Sequence, residues 1–103
     1  MKRIIDTSKI LGTVETPAGG RELCISAEAN YDERAERLTV ELKSFLRNTD
    51  LVTKEKHFLA DWLPKPQTVR ESAGPDETVE LAREVFNRWE RKVREAAPAL
   101  HHV

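Results

Sequence analysis

The chain is short of the features that usually identify a function. It contains one cysteine, Cys24, among 103 residues, which excludes an intrachain disulfide and any zinc site built from several cysteines. The sequence has no glycine-rich phosphate loop, no Gly-x-Ser-x-Gly motif and no Cys-x-x-Cys pair. We therefore expect a protein that is not an enzyme and that needs no cofactor.

Neither sign of charge is in excess. Lys and Arg number 17, Asp and Glu number 18, and the formal net charge is −1. Nucleic-acid-binding domains are usually basic because they neutralise several phosphates, and membrane-surface domains usually carry a polybasic cluster. The balance disfavours both partners, so we expect no membrane association and leave only a local basic patch as a route to nucleic acid.

Long apolar runs are also missing. No window approaches the roughly 18 apolar residues that a membrane-spanning helix needs. The N-terminus begins like a signal peptide, but Asp6 and Lys9 interrupt its apolar stretch before the minimum of about seven residues is reached. We expect a cytoplasmic protein, and a chain of 103 residues predicts a single domain with one modest core.

Two runs of alternating apolar and polar residues flank a compact turn signal. The runs cover residues 10–16 and 22–30, with the sequence Pro-Ala-Gly-Gly at residues 17–20 between them. Proline fixes φ at the turn entry, and glycine tolerates positive φ. The pattern predicts a β-hairpin, preceded by an N-terminal arm over residues 1–8.

The segment over residues 32–47 fits either a helix or a strand. Several of its apolar residues recur at helical spacing, whereas Leu38, Val40 and Leu42 alternate with polar residues as in a strand. Val40 lies off the helical stripe, and a hairpin alone is marginal without a third strand or a covering helix. We therefore predict a strand over residues 37–45, which completes a three-stranded antiparallel meander.

Two helices are predicted after the meander. The shorter covers residues 54–63, where apolar residues recur at helical spacing before Pro64. The longer covers residues 75–97, with a proline suited to its first turn and another just beyond its end. Residues 98–103 are predicted to be a flexible tail. The predicted fold is therefore α+β, with both helices packed on one face of the sheet and a polar face opposite.

His57 and Asp61 form the candidate ligand-binding site. Their spacing of four residues would place an imidazole and a carboxylate on one face of the predicted short helix, where they could bind a small ligand or a metal ion. The neighbouring residues 54–56 are all charged, which favours a solvent-exposed pair. We predict no metal centre and keep the pair as a candidate for ligand binding.

A basic cluster near the end of the long helix is the candidate nucleic-acid-binding site. Its members are Arg88, Arg91, Lys92 and Arg94. Such residues could follow a phosphate backbone. Acidic residues are interleaved with them, and Glu84–Arg88 and Glu90–Arg94 have the spacing of helical ion pairs. A solvated, salt-bridged face is therefore the favoured interpretation.

The polar face of the predicted sheet offers two weaker signals. Cys24 is expected on this face, where neighbouring carboxylates would keep its thiol protonated and unreactive. Glu15, Glu28 and Glu41 are expected on the same face. Three converging carboxylates could hold a cation or a basic peptide, but residues of this kind more often keep a sheet face soluble.

The leading hypothesis is a small, non-catalytic protein-interaction module that forms a homodimer. A three-stranded meander leaves its first and third strands as unpaired edges, and such edges are templates for another strand. Pairing one edge across a two-fold axis would remove it and enlarge a small core. The alternatives are nucleic-acid binding by the long helix and ligand or metal binding at His57 and Asp61.

Overall fold

A five-stranded antiparallel sheet with one helix on one face makes up the structure, a computed structural model that describes residues 1–48 and 56–101. The elements in chain order are β1 (Lys2–Thr16), β2 (Gly19–Asp32), β3 (Arg37–Asn48), β4 (His57–Phe58), β5 (Gln67–Ser72), a 3-10 turn (Pro75–Glu77) and α1 (Thr78–Ala96). The predicted α+β class is confirmed. In the parts of the chain that are described, no helix has the length and apolar character needed to cross a bilayer.

The predicted hairpin is present, but both of its strands are longer than predicted. β1 and β2 pair from Thr16 opposite Gly19 at the turn to Lys2 opposite Tyr31. Residues 1–8, expected to be an arm, therefore belong almost entirely to β1. Their sequence lacks clear alternation, and it is the backbone of β2 that supplies their hydrogen-bonding partners.

Two β-bulges interrupt the pairing of β1 with β2, one between Arg3 and Ile5 and one between Ile10 and Gly12. The second bulge changes which side chains face the core, because it adds one residue to β1 only. Leu11 is buried, whereas Ile10 is 43% exposed and lies on the other face.

The ambiguous segment is a strand. β3 pairs with β2 from Arg37 opposite Asp32 to Asn48 opposite Arg21. The side chain of Asp32 accepts hydrogen bonds from two backbone amides of the connecting turn, and Glu36 completes the turn with a positive φ of 48°. The chain thus reverses before Arg37, and alternate residues of β3 enter the core.

The predicted short helix is wrong over its described part. Residues 54 and 55 lie outside the described residues, and residues 56–63 form β4 and a turn. Phe58 lies opposite Leu46 and His57 opposite Arg47, so β3 supplies the backbone partners that a helix would have supplied internally. The apolar spacing that indicated a helix is also satisfied by two strand residues followed by a tight turn.

The segment after this turn, Gln67–Ser72, is β5. It pairs with residues 37–42 of β3 and places Val69 opposite Val40. β3 is therefore an interior strand with β4 and β5 on its far side, at opposite ends. The expected three-stranded meander with β3 at its edge is corrected to a five-stranded sheet.

The long helix is confirmed, as a 3-10 turn at Pro75–Glu77 followed by α1. Its buried stripe packs across β1, β2 and β3. Trp89 is 2% exposed, and its indole N–H donates a hydrogen bond of 3.0 Å to the carbonyl of Lys43. One α-helix, rather than the predicted two, covers the sheet in the described chain.

The C-terminal residues lie along the edge of β1. The backbone of Thr13 exchanges two hydrogen bonds with that of His101, at 2.8 and 2.9 Å, and Leu100 packs against the core. Residues 98–101 were expected to be part of a flexible tail, but this bridge fixes the end of the segment. Residues 102 and 103 lie outside the described residues.

Candidate functional site

The sheet face opposite α1, called the outer face below, contains a depression of about 610 Å³. Its lining residues include Ile10, Cys24, Lys43, Phe45, Arg47 and His57. No acidic residue is among the described residues that line it, and three of those named carry basic side chains. This outer depression therefore suits an anionic group with an apolar part.

His57 reaches the outer depression from β4 and not from a helix. Its ring stacks on that of Phe45, with centroids 3.9 Å apart and an interplanar angle of 17°. Asp61 lies in the turn that follows, so the predicted helical pairing of these two residues does not occur. Among residues 1–48 and 56–101, no group of three or more His, Cys, Asp or Glu side chains is arranged to hold a metal ion.

Cys24 is on the outer face, as predicted, but it is 2% exposed. It lies opposite Ile10 on β1 and Phe45 on β3, and these two larger side chains flank the thiol. A reactive thiol must be accessible to its target, and the thiol of Cys24 is buried.

Acidic residues occupy the other end of the outer face. Glu28 lies opposite Asp6 on β1 and Glu41 on β3, and Arg3 contacts the carboxylates of both Glu28, at 3.0 Å, and Asp6, at 3.4 Å. Glu15 pairs with Gly20 at the hairpin tip, roughly 26 Å along the sheet from Glu28. The three glutamates predicted to converge are therefore divided into a pair and a distant third.

Ion pairs engage two of the four basic residues predicted to bind nucleic acid. Arg94 contacts Glu90 at 2.9 Å, as predicted, but Arg88 contacts Glu71 on β5 at 3.3 Å and not Glu84. The ammonium group of Lys92 lies 5.8 Å from the centre of the Trp89 ring.

These four basic side chains also project from different sides of the helix. Arg88 and Lys92 are one turn apart on the side that faces β5, as the Arg88–Glu71 contact shows. Arg94 lies towards the β1 side, where its partner Glu90 contacts Lys9 at 2.8 Å. At 100° per residue, Arg91 points between the two sides and away from the sheet. The four residues do not form one continuous basic surface.

The carboxylate of Glu90 joins the helix to the sheet. Burial would raise its pKa, but hydrogen bonds from Lys9 and Arg94 outweigh burial, so the pKa of Glu90 lies below its usual value. The charged form of Glu90 is therefore the one that the folded protein favours.

A second, smaller concavity lies between α1 and β5, with a volume of about 140 Å³. Its apolar lining is Leu42, Val69, Val85 and Trp89, and its basic residues are Arg88 and Lys92. This β5–α1 groove was not predicted from the sequence. The one local sign of it in the sequence was Val69, an aliphatic residue in the otherwise polar segment before the long helix.

Comparison of the chain with protein-family models, with curated protein sequences and with solved structures found no significant match. The functional assignment therefore depends on the geometry of the outer depression, the β5–α1 groove and the sheet edges.

Proposed function

We propose that the protein is a cytoplasmic, non-catalytic interaction module that forms a homodimer by pairing β1 with β1 of a second copy. The observation that supports this proposal best is the edge of β1. This strand is 15 residues long, and within the described ranges its outward side has one backbone partner, His101 opposite Thr13. Unpaired edges of this length favour the addition of another strand.

The bridge at Thr13 indicates that this edge can accept a strand. Both the N–H and the C=O of Thr13 point away from β2 and bond to His101. β3, which the sequence predicted to be the second edge, is paired with β4 and β5. The proposal therefore rests on β1 alone.

Charge and register limit how two copies of β1 can pair. The bulges leave residues 5–10 as the regular section, and this section contains the charged residues Asp6 and Lys9. Directly opposite residues of an antiparallel pair share a face. A two-fold axis at Thr7 or Ser8 places no like charges opposite each other. An axis at Asp6 or Lys9 would place that residue opposite its own copy, which carries the same charge.

Light scattering after size-exclusion chromatography tests the proposal. The wild-type chain should have twice the monomer mass of 11.8 kDa. The double variant Thr7→Lys/Ser8→Lys should be a folded monomer, because either favoured axis would bring two lysines together. Thr68→Lys, an exposed residue of β5, is the matched control and should remain dimeric. A monomeric wild type at tens of micromolar, or equal behaviour of the two variants, would contradict the proposal.

The outer depression supports a second candidate function, the binding of a small anionic ligand beside His57. The observation in its favour is a lining that includes the basic residues Lys43, Arg47 and His57 and, among the described residues, no acidic one. Thermal shift with inorganic phosphate and simple carboxylates would test it, since a ligand at 100 times its Kd adds about 2.7 kcal/mol of stability. Lys43→Glu should abolish the shift, and Lys65→Glu, an exposed lysine outside the depression, should preserve it. An equal shift in both variants would contradict this candidate.

Nucleic-acid binding by Arg88, Arg91, Lys92 and Arg94 has less geometric support, because these residues point in different directions and two are in ion pairs. Fluorescence anisotropy with labelled single and double strands at low salt is the appropriate test. Absence of binding there would rule it out, since phosphate contacts are strongest at low ionic strength.

A further inference from the structure

We propose that the β5–α1 groove binds an extended peptide that adds a strand to β5, inserts one aliphatic side chain beside Val69 and places an acidic side chain under Lys92. This inference concerns the sheet edge opposite β1, so it is independent of the proposed homodimer. A partner protein would present the peptide as an exposed, extended segment.

β5 has the geometry of an accepting strand. All six of its residues pair with β3 on one side, and no described strand pairs with it on the other. Its pairing with β3 contains no bulge. Pro66 lies just before β5 and no proline lies within it, so every residue of β5 has a backbone N–H. An added strand would lie about 4.8 Å beyond β5 and would be held by main-chain hydrogen bonds.

The position of α1 leaves room for such a strand. The helix packs on β1, β2 and β3, so β5 projects beyond it. Val69, on the helix side of β5, is only half-buried although it packs against the core. The result is a recess between the helix flank and the strand, open at the edge of the sheet.

The size and lining of the groove determine which side chain fits. Its volume of about 140 Å³ is close to the roughly 150 Å³ of an apolar cavity that holds a benzene-sized molecule. Val69, Val85 and Trp89 supply an apolar surface. One leucine- or isoleucine-sized side chain therefore fits, and a second would not.

The charges beside the groove determine what flanks that side chain. Arg88 already contacts Glu71 at 3.3 Å, but no carboxylate of the described chain contacts Lys92, whose one described charge interaction is with the Trp89 ring. Residues i and i+2 of a strand share a face and lie about 7 Å apart, which is similar to the spacing of Arg88 and Lys92 on the helix. An acidic residue two positions from the aliphatic one would therefore reach Lys92.

The probe for the first experiment is the synthetic peptide Thr-Thr-Asp-Thr-Leu-Thr-Asp-Thr-Thr, whose symmetry makes its direction on β5 unimportant. Titration into the isotopically labelled full chain should shift the amide resonances of Gln67–Ser72 and of the helix around Arg88 and Lys92, and the shifts should saturate. Peptides with Ser in place of Leu, or Lys in place of both Asp, should bind much more weakly.

Two adjacent charge reversals separate a specific site from general attraction. Lys92→Glu should weaken binding about fivefold or more, because it replaces an attraction with a repulsion. Arg91→Glu makes the same change of charge on the neighbouring residue, which does not line the groove, and should leave the affinity within about twofold. Equal weakening by the two variants would overturn the proposal.

Three other outcomes would also overturn it. These are shifts confined to β1 or the outer depression, the absence of any saturable shift, and concentration-dependent shifts of β5 without peptide, which would identify a second copy as the occupant. The same titration on Thr7→Lys/Ser8→Lys keeps this test separate from the dimer. Peptide binding should be unchanged in that variant whether or not the wild type dimerises through β1.

Discussion

Tyr31 shows how the interior of this protein changes the chemistry of a single residue. It is the one tyrosine in the chain, it is 2% exposed, and its hydroxyl donates a hydrogen bond of 2.7 Å to the carbonyl of Ala73. Burial is the larger cause that raises the pKa of Tyr31 above its usual value, and the nearby carboxylate of Glu36 raises it further. The folded protein therefore favours the neutral phenol.

This perturbation predicts a loss of stability at alkaline pH. The stability that Tyr31 contributes by staying protonated is complete below the ordinary tyrosine pKa of about 10. It is lost as the pH rises from there through the pKa of Tyr31 in the folded protein. The near-ultraviolet absorbance of tyrosinate should have a midpoint above that value in the folded protein, and Tyr31→Phe should remove this part of the alkaline destabilisation. A midpoint at or below the ordinary value would contradict the prediction.

The two tryptophans provide a second test at the residue scale. Trp89 is almost fully buried and bonds to Lys43, whereas Trp62 is half-buried in the turn after β4. Trp89→Phe should lower the free energy of unfolding by about 2 kcal/mol, because it leaves a small cavity and an unpaired carbonyl. Trp62→Phe is the matched control and should cost less than about 1 kcal/mol. Urea unfolding would measure both, and equal costs would contradict the assignment of Trp89 to the core.

Gly12 is required by the approach of the C-terminal segment to β1. Its φ is +154°, and an added Cβ would lie 3.0 Å from the carbonyl oxygen of His101. Gly12→Ala should therefore destabilise the fold by about 2 kcal/mol. Gly20→Ala, whose nearest contacts would be 3.5 Å away, should change stability by less than about 0.5 kcal/mol. Thermal unfolding of the two variants would check this, and similar values would mean that the Thr13–His101 bridge is not a stable contact.

At the scale of elements, Glu90 connects α1 to β1 through Lys9. Because its folded-state pKa is lowered, its contribution to stability is present above the ordinary carboxyl pKa and is lost as the pH falls through the folded value. The loss of thermal stability between neutral pH and about pH 3 should therefore be smaller in Glu90→Gln than in the wild type. Glu84→Gln, on the exposed side of the same helix, should keep the wild-type pH profile. A wild-type profile in Glu90→Gln would contradict the prediction.

The elements also differ in how well local sequence predicted them. Periodic apolar patterns mark residues 10–16 of β1, residues 22–30 of β2, the strand β3 and the helix α1, and each was predicted correctly in type. β4, β5 and the first half of β1 carry no comparable pattern. Each of these is a strand because a long neighbouring strand offers unpaired backbone groups, which are costly to leave unpaired when buried. The β5–α1 groove could not be predicted because one of its two walls is β5.

At the scale of the whole molecule, the length of the hairpin sets the shape. The radius of gyration is 15.2 Å, and the principal extents are 48, 28 and 22 Å, whereas a compact domain of this size has a radius of about 13 Å. Among the residues that the structure describes, a single apolar cluster nevertheless joins the sheet to the helix. The hairpin lengthens the molecule, and no second core forms within residues 1–48 and 56–101.

One core predicts one unfolding transition. Far-ultraviolet circular dichroism, which reports on the sheet and helix, and the fluorescence of Trp89, which reports on the core, should give the same urea midpoint. Trp62→Phe would make the fluorescence specific to Trp89. Separate midpoints would show that the extended end of the hairpin unfolds independently of the core.

The sequence by itself determined the α+β class, the turn of the hairpin and the position of the long helix, because each is encoded in the spacing of nearby residues. For β3 the sequence favoured a strand over a helix, and pairing with β2 and β5 decided it. Only the tertiary structure decided that β3 is interior, that His57 and Asp61 belong to different elements, and that Arg88 pairs with Glu71 rather than Glu84. These outcomes depend on backbone and side-chain partners that are distant in sequence, and local periodicity carries no information about such partners.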